Sequence, residues 1–210
     1  MKPKRSELQA LAGRDPLLGE YLERVEPFPD FPEASHRRMS NFEALARSIT
    51  YQQLSGKAAA TIWKRVCRLG PGRGFPAAQE LLLLEEQALR GAGLSNNKML
   101  ALRDLAQRHL DGRLSLRSLG RRDDQAVVEE LIQVRGVGVW TAQMFLLFKL
   151  GRPDVMAPGD LGLQEGLRVL DGLAVRPGPA ELEERARIWS PLRSVACWTL
   201  WRLLELDSAS

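Results

Sequence analysis

Three short stretches of this chain carry residue types whose spacing suits chemistry. Arg135-Gly136-Val137-Gly138 places two glycines around one aliphatic residue, between apolar segments that end at Val134 and begin at Val139. Glycine permits positive φ and the close approach of another molecule. A tight turn that opens a helix leaves several N–H groups unpaired at its start. Together with the positive end of the helix dipole, those groups can hold a phosphate without any basic side chain. Val137 would tuck beneath the turn and fix its shape. An ordinary helical hairpin, with glycines serving tight packing, is the competing reading of Gly-Val-Gly taken alone. The second stretch is Pro158-Gly159-Asp160, a lone carboxylate that ends a Gly/Pro-rich loop and stands directly before a helical pattern. That is an N-cap position, where the helix dipole favours negative charge. Capping alone would account for an isolated aspartate. The third, Tyr51-Gln52-Gln53-Leu54-Ser55, sets polar amides and a leucine between two apolar helices, and here too a plain helix–helix connection is the simple alternative.

The elements that must position these residues read as helices throughout. Asp15-Pro16-Leu17 opens one by cap and N1-proline rules, and Leu18, Tyr21, Leu22 and Val25 keep helical spacing. Residues 26–33 carry Pro27, Pro29 and Pro32 and read as a linker. Phe42, Leu45, Ala46 and Ile49 recur at i, i+3, i+4 and i+7 from a start near Ser40. A second helix covers 56–68, a Gly/Pro loop 71–76, and short helices 77–84 and 85–92. Ser95 caps a helix running to His109, and Asp123 or Asp124 caps the one entering the hairpin. Beyond Asp160 a helix carries Leu161, Leu163, Leu167 and Val169. Ser190-Pro191 reads as a cap and N1 proline for a last helix over 192–206. Period-two alternation is weak and β-branched residues are sparse, so an all-α fold is expected.

Composition bounds the function. The 210 residues hold 30 Lys and Arg against 26 Asp and Glu, a net charge of +4, with 44% apolar residues. That is ample for a core, and the basic balance favours a polyanionic partner. No apolar run is long enough to span a bilayer, and the basic start MKPKRSELQ lacks a secretory apolar region. A soluble, cytoplasmic protein is expected. Two cysteines, Cys67 and Cys197, fall on apolar helix faces and read as buried and reduced. They cannot supply the four ligands of an iron–sulfur cluster. His36 and His109 lie far apart, so no zinc site is expected.

The string Leu131-x-x-Val134-x-Gly136-Val137-Gly138-x-Trp140-Thr141-Ala142, followed by the loop ending in Asp160, resembles the helix-hairpin-helix–Gly/Pro/Asp superfamily of DNA glycosylases. Gln52-Gln53-Leu54-Ser55, Gly93-Leu94-Ser95-x-x-Lys98 and Trp189-x-Pro191-x-Arg193-Ser194-x-Ala196-x-x-x-x-Trp201 resemble it in the same order, from about Asn41 to Trp201. Within the superfamily the chain is similar to the 3-methyladenine DNA glycosylase II branch; the endonuclease III-like branch usually carries a cluster. The resemblance implies two helical lobes with an active-site cleft between them. One lobe would cover 41–152, ending in the hairpin, and the other 1–40 with 153–210. The larger bacterial relatives add an N-terminal β-domain, for which no room is expected here.

The resemblance also implies roles. Asp160 would be the catalytic anion, stabilising positive charge on the sugar as an alkylated purine leaves. Trp140, Trp201 and Met144 would form the pocket for the extruded base, Met144 replacing an aromatic residue common in relatives. Trp140 stands where bifunctional glycosylases carry a Schiff-base lysine, so strand cleavage by that route is not expected. Gln52, Gln53 and Leu54 would supply the minor-groove wedge, with Gln53 or Leu54 filling the gap. Gly136, Val137, Gly138, Thr141 and Lys98 would contact the DNA backbone. No cofactor would be required, although backbone carbonyls of Ile132, Val134 and Val137 could hold a structural Na⁺ or K⁺. The implied partner is duplex DNA with alkylated bases, acted on by a monomer with no membrane association. The alternatives are a glycosylase for another lesion class and a non-catalytic DNA-damage-binding module.

Overall fold

The computed structural model describes residues 2–25, 28, 34–72 and 74–207, and among these it contains helices and turns but no strand. The all-α expectation is met. The helices are α1 (Arg5–Arg14), α2 (Pro16–Leu22), α3 (Ala34–Arg38), α4 (Asn41–Tyr51), α5 (Gly56–Cys67), α6 (Ala78–Leu83), α7 (Glu86–Gly91), α8 (Asn96–Leu110), α9 (Asp124–Leu131), α10 (Val139–Met144), α11 (Leu161–Leu170), α12 (Pro179–Arg185) and α13 (Arg193–Asp207). A π-helical turn, Phe145–Lys149, continues α10. The linker expected over 26–33 lies, apart from Phe28, outside the described residues.

Two compact units result, a hairpin unit of residues 35–145 and a bipartite unit of 1–34 with 146–210. The sequence boundaries were placed at 41 and 152. Both observed divides fall earlier, the second where α10 passes into the π-turn.

Short polar side chains cap the start of six of these helices. The hydroxyls of Ser40, Ser55 and Ser95 accept the N–H groups of Glu43, Ala58 and Lys98, and the Asp123 carboxylate accepts that of Ala126. Asp123, rather than Asp124, is thus the cap of α9. Asp15 and Asp160 do the same for Leu18 and Leu163. The hairpin unit closes over Leu45, Ile49, Leu81, Leu89, Leu102 and Leu105, all fully buried.

The bipartite unit is held by a polar knot. Asp15, 3% exposed, caps α2 and accepts Trp189 Nε1 at 2.6 Å, and Arg185 Nη1 lies 2.8 Å from the same carboxylate. Arg185 also forks onto Asp171 at 2.9 and 3.0 Å. Burial pushes the Asp15 carboxyl up, but the bonds from Arg185, Trp189 and Leu18 outweigh it and hold it below the ordinary carboxylate range. Asp154 is likewise held low, as burial is outweighed by the fork from Arg193 and the Ser190 hydroxyl.

Two details depart from the sequence reading. Ser190-Pro191 is a cis peptide and does not open a helix, since the Ser190 hydroxyl donates to Asp154 and α13 begins at Arg193. Cys67 is half-buried rather than buried, because it ends α5 at the surface. Trp198 is half-buried, whereas Trp189 is fully buried. Cys197 is buried as expected, and burial pushes its thiol up to about 12.

Two predictions follow from this packing. Asp15 and Asp154 have depressed values in the fold, so their contribution is complete above the unfolded carboxylate value near 3.8. It is lost as pH falls through the folded values. Urea unfolding from pH 7 to 2 should therefore show stability falling below about pH 4, with a shallower acid limb in Asp15→Asn. That variant should also cost about 2 kcal/mol at pH 7, by leaving Arg185 and Trp189 short of a buried acceptor. Gly166 allows α11 to lie on α13, since a Cβ there would sit 2.8 Å from Leu200 O and Cβ. Gly166→Ala should destabilise by about 1–3 kcal/mol in the same measurement.

Candidate functional site

In the hairpin unit, helix α8 gathers the expected site residues. Lys98, Ala101 and Asp104 follow at intervals of three along it, a spacing that keeps them near one face. Lys98 Nζ donates to the carbonyls of Thr50 and Gln52, at 2.8 and 2.7 Å. Ala101 lies beneath the hairpin, its Cβ 3.4 Å from where a Gly136 Cβ would stand. Asp104 accepts the Arg135 N–H at 2.8 Å and is itself fixed by Arg108 Nε at 2.8 Å. One helix thus supports both the glutamine turn and the glycine turn.

Gln52 ties the two turns directly. Its Nε2 donates to Gly136 O at 2.9 Å and to Thr141 Oγ1 at 3.1 Å. Gln52 therefore turns its amide toward the hairpin and is half-buried. Gln53 and Leu54 are exposed, and Gln53 adopts φ +55°, a conformation uncommon outside glycine. Thr141, expected to reach outward, is 4% exposed and accepts from Gln52. Lys98, expected at a phosphate, has its ammonium on two carbonyls of the turn.

Within the hairpin only Gly136 uses positive φ, +74°. Gly138 is the extended N-cap of α10, exposed, with open space where a Cβ would project. Val137 is buried beneath the turn as expected, and its N–H donates to Val134 O at 3.0 Å. Trp140 is 44% exposed on the first turn of α10, while Met144 at its end is half-buried. Gln52, Gln53, Lys98, Gly136 and Trp140 line a recess of about 460 Å³, with Ser95 and Asn97 at its side.

In the bipartite unit Asp160 is the N-cap of α11. Its Oδ1 accepts Leu163 N–H at 2.9 Å and Trp201 Nε1 at 3.1 Å. Trp201 in turn stacks on Phe148, with ring centroids 5.8 Å apart at 22°. Gly162 makes this arrangement possible, since a Cβ there would stand 3.0 Å from Asp160 Oδ1 and 3.2 Å from the Trp201 ring. Gln164, nearly buried, donates to Pro158 O at 2.8 Å and pins the loop before the aspartate. Sequence reasoning singled out Asp160 and Trp201 but missed Phe148, Gly162, Gln164 and Asp104. Gly162 left the one usable signal, a small residue two places after a capping aspartate.

The sequence profile of the HhH-GPD superfamily base excision DNA repair proteins matches residues 46–191. The chain belongs to that superfamily. DNA-3-methyladenine glycosylase 1 of Schizosaccharomyces pombe is 31% identical over 176 residues, covering 83% of this chain and 77% of the yeast protein. The crystal structure of a DNA-3-methyladenine glycosidase from Bacillus halodurans superposes with a TM-score of 0.85 at 32% identity, over 100% of this chain and 94% of the other. The S. pombe 3-methyladenine DNA glycosylase (Mag1) in complex with abasic DNA gives 0.81 at 27%, over 94% and 95%. In the HhH-GPD fold of this chain, the matched segment takes in the hairpin, Asp160 and the glutamine turn together. Among the described residues no helix is long and apolar enough to cross a membrane, and no cluster of three metal-ligating side chains occurs.

The Gln52 bridge yields a prediction. Gln52→Ala leaves the Gly136 carbonyl and Thr141 hydroxyl without this donor and frees the two turns from each other. Affinity for a duplex with an abasic site should fall about tenfold, a loss of about 1.4 kcal/mol. The midpoint of urea unfolding should move little, because the bridge lies at the surface.

Proposed function

We propose that this protein is a monofunctional DNA glycosylase of base excision repair that hydrolyses the N-glycosidic bond of alkylated purines, 3-methyladenine and 7-methylguanine among them, in duplex DNA. The observation that carries the reading is Asp160. A carboxylate caps a helix with one oxygen held by Leu163 N–H and the Trp201 indole, beside an aromatic stack. Such a group is oriented but cannot swing, which suits an electrostatic role better than proton shuttling.

Alkylation at N3 or N7 makes the purine cationic, so the base departs neutral and needs no general acid. Positive charge is left on the sugar, where Asp160 stabilises the oxocarbenium-like state and orients the attacking water. The Trp201 face, backed by Phe148, offers a cationic base cation–π attraction of up to about 2 kcal/mol when desolvated. Trp140 and Met144 are stacking candidates on α10. Trp140 stands where a lysine would have to be for Schiff-base chemistry, so the strand is left intact after base loss.

The open N–H groups around Gly136 and Gly138 hold the phosphate backbone, contacts that position the enzyme without reading sequence. Gln53 and Leu54 fill the gap left by the extruded nucleotide. The carbonyls of Ile132, Val134 and Val137 are neutral main-chain oxygens, a donor set suited to Na⁺ or K⁺ and not to a transition metal. There a cation would neutralise phosphate charge and take no part in bond cleavage. The finer assignment, to the glycosylase II branch, rests on the motifs from the glutamine turn through Trp201.

The test is base release from methylated duplex DNA, followed by chromatography, with strand nicking scored before alkali. Wild type should release 3-methyladenine or 7-methylguanine without nicking, and Asp160→Asn should lose about 10²-fold or more. Binding to abasic or alkylated duplex with no release by wild type would overturn the proposal in favour of a damage-sensing module. Release of a different base would make it a glycosylase of another lesion class.

A further inference from the structure

The last turn of α4 ends in carbonyls with no partner within the helix, the usual state of a helix C-terminus. Glycine most often resolves it by taking positive φ just beyond. Here the residue that takes positive φ is Gln53, at +55°, directly after the α4 C-cap Gln52. A side chain larger than glycine is held in that region only where surrounding structure imposes it. The structure shows one group able to do so. Lys98 Nζ donates to Thr50 O and to Gln52 O, the carbonyls on either side of Tyr51, at 2.8 and 2.7 Å. The Gln52 carbonyl belongs to the peptide that leads into Gln53.

We infer that Lys98 is a positioning residue for the wedge, its ammonium clamping the end of α4 so that Gln53 and Leu54 are presented outward, and that it is not a phosphate contact. The inference rests on the reading of Gln53 and Leu54 as the wedge proposed above. Charge-assisted bonds to two carbonyls are stronger than neutral ones and fix direction. Burial holds the Lys98 ammonium below the usual lysine range, as expected for a cation partly withdrawn from water. Gln52 completes the arrangement. Its carbonyl is held by Lys98 and its side chain by Gly136 and Thr141, so the turn is anchored at both ends.

The experiment uses the full chain and a duplex carrying a tetrahydrofuran abasic site, so it does not depend on base release. If wild type released no alkylated base, the functional reading would fail while this test still ran. Dissociation constants are measured against salt for wild type, Lys98→Met, the doubly substituted Gln53→Ala/Leu54→Ala, and all three changes combined. Lys98→Gln, which loses the charge but keeps N–H donors, stands in if the methionine variant does not fold. The expected result is about tenfold weaker binding for Lys98→Met, with the slope of log Kd against log salt unchanged. The combined variant should be no weaker than the worse of its parents within about threefold, because both changes remove one device. A slope reduced by about 0.9, the signature of one lost phosphate contact, would overturn the inference. So would losses that multiply in the combined variant, or no loss in Lys98→Met or its glutamine substitute.

Discussion

The two outward turns of the hairpin unit depend on how the end of α4 is satisfied. A helix C-terminus must find partners for its last carbonyls, and this one finds them in a lysine ammonium from α8 instead of in a glycine. The choice has consequences along α8. The same helix that brings Lys98 to the glutamine turn brings Ala101 under Gly136 and Asp104 to the Arg135 N–H. Two turns separated by more than eighty residues are thereby held to one support, and Gln52 spans them. Polar groups that would be natural DNA ligands, Thr141 and Lys98, are spent on this internal order. Among the groups that remain outward are the turn backbone, the exposed Gly138, Trp140, and Gln53 with Leu54.

The bipartite unit solves a different problem. A carboxylate must be fixed close to an aromatic surface. Asp160 is fixed by Leu163 N–H and the Trp201 indole, and the contact exists because Gly162 has no side chain to intervene. Close approach of α11 and α13 at Gly166 and Leu200 sets where Trp201 can stand. The Asp15–Arg185–Trp189 knot closes the other side of the same unit, joining α2 to α12 and the turn before α13. Glycines here act as spacers between helices, and a methyl group at either position is felt through the aspartate or through global stability.

Much of this was readable from sequence where the physics is local. Asp15, Ser95 and Asp160 cap the helices they were expected to cap, because capping involves only the next three residues. Helical periodicity carried the all-α fold for the same reason. Readings failed or stopped where the deciding partner is distant in sequence. Spacing does not announce that the Gln52 amide reaches Gly136, or that the Lys98 ammonium sits on the carbonyls of Thr50 and Gln52. Ser190 read as a cap because nothing nearby announced that Asp154 would take its hydroxyl. Phe148 was unremarked within an apolar run, since stacking on Trp201 depends on the packing of helices and not on spacing. Gly136 and Gly138 looked equivalent, yet only one needs positive φ.

In the proposed function, Asp160 acts as a fixed anion toward positive charge on the sugar. The most direct measurement is the affinity ratio between duplexes carrying a cationic pyrrolidine abasic analogue and a neutral tetrahydrofuran one, for wild type and for Asp160→Asn. Wild type should prefer the cationic analogue by about 10²-fold, as expected for a group complementary to a charged transition state, and Asp160→Asn should lose that preference. The variant should bind the two within about threefold of each other, with affinity for the neutral site unchanged. A preference for the cation that survives in Asp160→Asn, or an equal loss of affinity for both analogues, would contradict this role.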